Sequence, residues 1–145
     1  MEEIIYKRMN GGLIDKAIIF LHSLNRPYDL DTISSFTYGN GRVALINDEI
    51  IGIVLYGYIP KQFNCDINFT LVDVGIKEKY RRLGICKKLI GQIIYLFPKD
   101  IYLQVDQNNL PAIKLYQSLG FEIIEFLFNY YGEEKHAWYM KRSKI

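Results

Sequence analysis

The sequence predicts an α/β domain with a mixed, mostly antiparallel sheet of about seven strands flanked by helices. Three observations carry this prediction. β-branched runs flank short polar turns, apolar stripes at helical spacing separate those runs, and 145 residues suit one domain spanning 1–145.

"EEIIYKRM" reads as an opening strand, and the glycine pair after it breaks the chain before "LIDKAIIFLHSL". There Leu13, Ala17, Phe20, Leu21 and Leu24 recur at the spacing of a helix face. "NRPYDLDTISSFTYGNG" is polar and rich in turn formers, which predicts a long loop, with room for a short helix, beside a binding site. "RVALI" and "IIGIVLYGYI" around "NDE" then give a hairpin signal, and "INFTLVDVGI" continues as a further strand.

From "GICKKLIGQIIYLF" the apolar period changes, with Ile85, Leu89, Ile93 and Phe97 on one stripe and Ile90, Ile94 and Leu96 beside it. Pro98 ends this helix, and "DIYLQV" is short enough for a buried strand. In "NNLPAIKLYQSLGF", Asn109 suits an N-cap, Pro111 the first turn and Gly120 the C-terminal stop. "FEIIEFLFNYY", "GEE" and "KHAWYMK" read as a closing hairpin.

Composition removes several function classes. The formal net charge of +2 is too small for a nucleic-acid partner, and no apolar run approaches the ~20 residues that span a bilayer. Cys65 and Cys86 lack metal-ligand spacing, so reduced thiols and no metal are expected. The acidic start "MEEIIYKRM" is unlike a signal peptide, and the expectation is a cytoplasmic protein with no membrane partner.

Charge is nevertheless concentrated at one place. Between Lys77 and Lys88, the residues Lys77, Lys79, Arg81, Arg82, Lys87 and Lys88 face one acid, Glu78, a local charge of +5 against +2 for the chain. A helix that starts near Gly84 points unpaired N–H groups and the positive end of its dipole at this loop, an arrangement suited to an anion. Gly84 removes the β-carbon where a phosphate would approach the backbone. Neither GxxxxGK[ST] nor GxGxxG occurs, so nucleotide loops of those kinds are excluded.

The segment "IKEKYRRLGIC" between a strand and an amphipathic helix resembles the acyl-CoA loop of the GNAT superfamily of N-acetyltransferases, Arg/Gln-x-x-Gly-x-Gly/Ala. Arg81, Gly84 and Cys86 occupy its three positions, Cys86 departing from the usual Gly or Ala. "NNLPAIKLYQSLGFE" is similar to a second block, Asn-x-x-Ala-x-x-Leu-Tyr-x-x-x-Gly-Phe, through Asn109, Ala112, Leu115, Tyr116, Gly120 and Phe121. The closing "FNYYGEEKHAWYMKR" is similar to the hairpin of ribosomal-protein alanine and other protein N-terminal acetyltransferases, where a tyrosine pair precedes the last strand.

The resemblance implies an acetyl-CoA-dependent N-acetyltransferase, a monomer or homodimer. It implies that Val74, Gly75 and Ile76 pair with the pantetheine arm. Arg82, Leu83, Gly84, Ile85, Cys86 and Lys87 would wrap the pyrophosphate with main-chain N–H groups, beside Arg81. Asn109 and Ala112 would touch the cofactor, and Tyr116 would protonate the departing sulfur as a phenol of reference pKa near ~10. Tyr130 and Tyr131 would line the acceptor groove, and Tyr28, Asp29 and Asp31 in the long loop would draw a cationic amine.

The general base does not carry over. Protein N-terminal acetyltransferases usually place Glu in a "Leu-Glu-Val" strand, and this chain has Gln104 in "LQV". An amide cannot take the proton, so Gln104 is assigned to orienting a water, with Asp73 and His136 as further titratable candidates. The acceptor is a primary amine, with a protein or peptide N-terminus slightly favoured. Small amines such as a polyamine, amino acid or antibiotic, and a non-catalytic acyl-CoA-binding module, stay open as alternatives.

Overall fold

The structure, a computed structural model, describes residues 2–26, 40–60 and 67–144. In chain order these form β1 (Ile5–Arg8), α1 (Ile14–Ser23), β2 (Gly41–Ile46), β3 (Glu49–Pro60), β4 (Ile67–Ile76) and α2 (Ile85–Leu96). There follow β5 (Ile101–Asp106), α3 (Leu110–Ser118), β6 (Glu122–Leu127) and β7 (Ala137–Arg142). The order of elements is the one the sequence predicts, and the strands form a seven-stranded sheet in the order β1-β2-β3-β4-β5-β7-β6. The ladders β1/β2, β2/β3, β5/β7 and β6/β7 are antiparallel, and β4/β5 is parallel.

The chain clusters into two compact units, one of Met1–Tyr56 with Asp73–Gln92, the other of Gly57–Val72 with Ile93–Ile145. In the first, Asn47 and Asp48 both take left-handed φ angles, 49° and 65°, as a two-residue turn between β2 and β3 requires. Leu13, Ala17, Phe20 and Leu21 form the buried stripe of α1. α2 buries Ile85, Leu89 and Ile90, each worth about 1.5–3 kcal/mol relative to exposure. A β-carbon on Gly52 of β3 would come within 2.8 Å of Ile76 Cδ1 and 3.2 Å of Ile85 Cγ2. The missing side chain there lets the first turn of α2 and the end of β4 pack closely on β3.

In the second unit, Ile101, Leu103 and Val105 of β5 are buried and alternate with half-buried Tyr102, Gln104 and Asp106. Buried Leu127, Ala137 and Tyr139 form a cluster onto which Tyr102 and Tyr130 pack. β6 ends the strand order and leaves Ile123, Ile124 and Phe126 exposed, followed by Phe128 at 65%. Two details correct the sequence reading. Leu96 is 49% exposed and off the buried stripe, and Phe97 lies past the end of α2, although its N–H still bonds Ile93 O at 2.9 Å. Pro98 has no N–H to continue the ladder, so α2 ends here.

The proposed acceptor loop with Tyr28, Asp29 and Asp31 lies outside the described residues, as does Cys65. Among the described residues, no cluster of His, Cys, Asp and Glu could hold a metal. No described helix is long and apolar enough to cross a membrane.

Candidate functional site

In the first unit, β4 leads directly into the basic loop. Lys77 N–H bonds Ile51 O at 2.8 Å, tying the exit of β4 to β3. A 3-10 turn over Glu78–Tyr80 follows, closed by Tyr80 N–H to Lys77 O and Arg81 N–H to Glu78 O. Arg82 then adopts φ 66° and Gly84 φ 78°, so the chain twice enters the left-handed region on its way into α2. Only Gly84 meets that demand without a β-carbon, and one placed there would find no atom within 4 Å. The space above Gly84 is open to an approaching ligand.

The first bond closing the helix is Lys88 N–H to Gly84 O at 3.0 Å. The N–H groups of Ile85, Cys86 and Lys87 lie ahead of it, in the first turn, where a helix has no carbonyl of its own to offer. The side chains divide as the sequence suggests: Ile85 is buried, Cys86 half-buried, and Arg81, Arg82, Leu83 and Lys87 exposed. Burial pushes the Cys86 thiol up to about 11, so at neutral pH the residue is an uncharged small side chain, as its place in the pattern asks.

The basic charges are not all alike. Arg81 turns its Nε back to Ile76 O at 3.0 Å and so braces the end of β4. Lys88 lies over the Tyr6 ring, 5.0 Å from its centroid, and Lys79 over Tyr80 at 5.2 Å. Arg26, which the sequence reading did not single out, donates from Nη1 to Val74 O at 2.7 Å and to Asp73 Oδ1 at 2.9 Å. Asp73 is therefore held in an ion pair, which argues against its use as a base.

The second unit carries the other candidates. Asn109 caps α3, its Oδ1 accepting from Ala112 N–H at 3.3 Å, with Pro111 in the first turn. At the other end Phe121 N–H bonds Tyr116 O and Gly120 N–H bonds Gln117 O, each at 3.0 Å, with Gly120 at φ 95°. That is a Schellman stop, and its accompanying apolar contact is the Tyr116 ring against Phe121. α3 thus presents Tyr116 half-buried, held through its ring and its carbonyl.

Gln104 of β5 stands directly opposite Tyr139 of β7, so the two side chains share a face. Tyr139 Oη accepts from Asn68 Nδ2 at 2.9 Å, and its ring stacks on Tyr102 with centroids 5.4 Å apart. Tyr139 and Asn68 were not singled out from the sequence; the alternation of "AWYM" against "YLQV" is the signal that could have paired Tyr139 with Gln104.

Tyr130 and Tyr131 meet edge-on at 4.9 Å in the turn after β6, not in a strand. Tyr130 packs inward and burial raises its hydroxyl above the ordinary phenol range, while Tyr131 is 46% exposed. His136 accepts Asn129 N–H on Nδ1 at 2.9 Å and stacks on Phe128. Its Nδ1 lone pair is engaged in holding the hairpin, which argues against its use as a general base.

A cleft of about 500 Å³ in the first unit, between α1 and the β2–β3 turn, is lined by Lys16, Phe20, Ser23, Asp48 and Lys77 among others. Lys77 of the basic loop reaches it, whereas the residues expected to hold the cofactor do not line it.

Comparison with known proteins agrees with this geometry. The profile of the Acetyltransferase (GNAT) family matches residues 19–121. N-alpha-acetyltransferase 50 of Danio rerio is 42% identical over 62% of this chain and 55% of its own length. NAA60 of Arabidopsis thaliana, solved in complex with acetyl-CoA, superposes with a TM-score of 0.82 at 19% identity, over 97% of this chain and 99% of that one. The ribosomal-protein-S18-alanine N-acetyltransferase of Escherichia coli gives 0.82 at 18% identity, over 98% and 94%. The chain spans 55% to 66% of the length of the curated relatives it matches first.

Proposed function

This chain belongs to the GNAT acetyltransferase family, and from that premise we propose that it is an N-acetyltransferase that uses acetyl-CoA to acylate a primary amine, with a protein or peptide N-terminus as the favoured acceptor. The observation that carries the reading is the seat at Gly84, where a left-handed residue with open space above it precedes the first-turn N–H groups of α2. Main-chain donors there suit the two negative charges of a pyrophosphate, with Arg82 and Lys87 drawing it in. The N-terminal acceptor is favoured by the similarity to N-alpha-acetyltransferases.

In this reading the end of β4, Val74 to Ile76, lies along the pantetheine arm, and the Val74 N–H faces the thioester carbonyl. Asn109 and Ala112 touch the cofactor from the start of α3. The neutral amine attacks the carbonyl carbon and forms a C–N bond; the negative oxygen so created is met by the main-chain N–H. Collapse breaks the C–S bond, and Tyr116 gives its hydroxyl proton to the sulfur. The proton lost by the amine returns to the Tyr116 oxygen through a water oriented by Gln104, so the enzyme ends as it began. Tyr130 and Tyr131 line the acceptor side.

The test is a screen of N-terminal peptides and small amines, read by release of free CoA thiol. Turnover with peptides supports the reading. Turnover with small amines alone overturns its acceptor, and acetyl-CoA binding without turnover on any amine overturns its chemistry.

A further inference from the structure

The end of β4 holds an arrangement that the donor-binding pattern does not require. Residues of an extended strand direct their N–H and C=O groups to one edge in alternation. Because Lys77 N–H bonds Ile51 O of β3, Val74 and Ile76 turn their main-chain groups to the opposite edge. Both carbonyls on that edge are taken by arginines: Val74 O by Arg26 Nη1 at 2.7 Å and Ile76 O by Arg81 Nε at 3.0 Å. With its acceptors occupied, the edge offers donors, the N–H groups of Val74 and Ile76. A thioester carbonyl and the oxyanion formed from it are acceptors only, so such an edge suits them.

Of the two arginines, Arg26 is the one outside the loop. The same Nη1 that reaches Val74 O also pairs with Asp73 Oδ1 at 2.9 Å, so one nitrogen ties a main-chain oxygen to the neighbouring side chain. The guanidinium lies directly over Gly75, where a β-carbon would stand 2.8 Å from Nη1 and 2.6 Å from Leu24 Cδ1. Leu24 and Arg26 follow α1, and Leu24 N–H and Arg26 N–H both bond Leu21 O, at 3.1 and 2.9 Å, so the arm starts from a fixed helix end. Asp73 neutralises the guanidinium, which leaves it a clamp and not an anion site.

We propose that Arg26 is a positioning residue for acyl transfer: by holding the Val74 carbonyl and the Asp73 carboxylate together, it fixes the edge of β4 that meets the thioester. The inference rests on the acetyltransferase reading above. It predicts a division of effects, because the pyrophosphate seat at Gly84 does not depend on Arg26. Arg26→Met keeps the apolar stem and removes the donors. In the full chain, kcat for peptide acetylation then falls at least ~10-fold while the Kd for acetyl-CoA changes less than ~3-fold. Arg26→Lys keeps the charge and recovers part of kcat, and it carries the test if the methionine variant fails to fold.

A second measurement is independent of turnover: the amides of Gly75 and Lys77, which face β3, exchange with solvent at least ~10-fold faster in the variant than in the wild type. A kcat within twofold of wild type in the variant that folds, or unchanged exchange at these amides, overturns the proposal. A wild-type protein that binds acetyl-CoA but acetylates nothing overturns the acetyltransferase reading instead. In that case the exchange result alone decides whether Arg26 fixes β4.

Discussion

The ring of Tyr116 meets the ring of Phe121 edge-on, with centroids 6.0 Å apart and planes at 62°. Phe121 is buried, so the contact anchors the side chain proposed to protonate sulfur. Tyr116→Phe keeps that packing and removes the hydroxyl alone. Steady-state kinetics should show kcat lower by ~10²-fold, a general-acid effect, with the calorimetric Kd for acetyl-CoA nearly unchanged. An unchanged kcat would remove Tyr116 as the acid.

At Gly84 the fault would be torsional. Alanine has room, but φ 78° costs an L-residue about 1–2 kcal/mol. The side chain would also project into the space proposed for the pyrophosphate. Thermal unfolding should register the lost stability, and calorimetry should find acetyl-CoA affinity reduced at least ~10-fold; undiminished affinity would mean that the anion sits elsewhere.

Gln104 tests the proton path. If its amide orients a water, Gln104→Leu should lower kcat/KM by at least ~10-fold, while Gln104→Glu restores a carboxylate and retains turnover at neutral pH. The glutamate variant should add an acidic limb to the pH–rate profile. Equal rates in the leucine variant and the wild type would exclude this role.

Cys86 links stability to alkaline pH. Its folded-state value of about 11 lies above the ordinary 9.0, so below pH 9 both states keep the proton and the thiol contributes no pH dependence. Between pH 9 and 11 the unfolded thiol ionises and the folded one does not, and stability falls by up to about 1.4 kcal/mol per pH unit. Urea unfolding across this range should show the slope, and Cys86→Ala should remove its share.

What was legible in the sequence was local. The Schellman stop at Gly120, the Asn109 cap and the turn at Asn47–Asp48 each depend on residues a few positions apart, and all three form as read. The buried stripe of α2 was legible up to Ile93, and Pro98 was read as its end, but spacing alone did not register that Leu96 in the last turn stays exposed. The tyrosine pair could be identified but not divided: only the folded hairpin turns Tyr130 inward and Tyr131 outward. Least legible was Arg26, whose partner Val74 lies 48 positions away, with nothing in its neighbourhood to mark it.

The edge at β6 bears on how the protein must be handled. Its sequence, Glu122 to Leu127, sets two carboxylates among four apolar side chains, and Phe128 continues the apolar surface. Exposed main-chain edges of this kind template pairing with further copies, and like charge along them is one of the means that prevents it. Added salt screens that repulsion and leaves the apolar attraction in place. High ionic strength should therefore promote self-association of this protein, the reverse of what it does to a complex held by opposite charges, and dilute buffers are the better choice for storage.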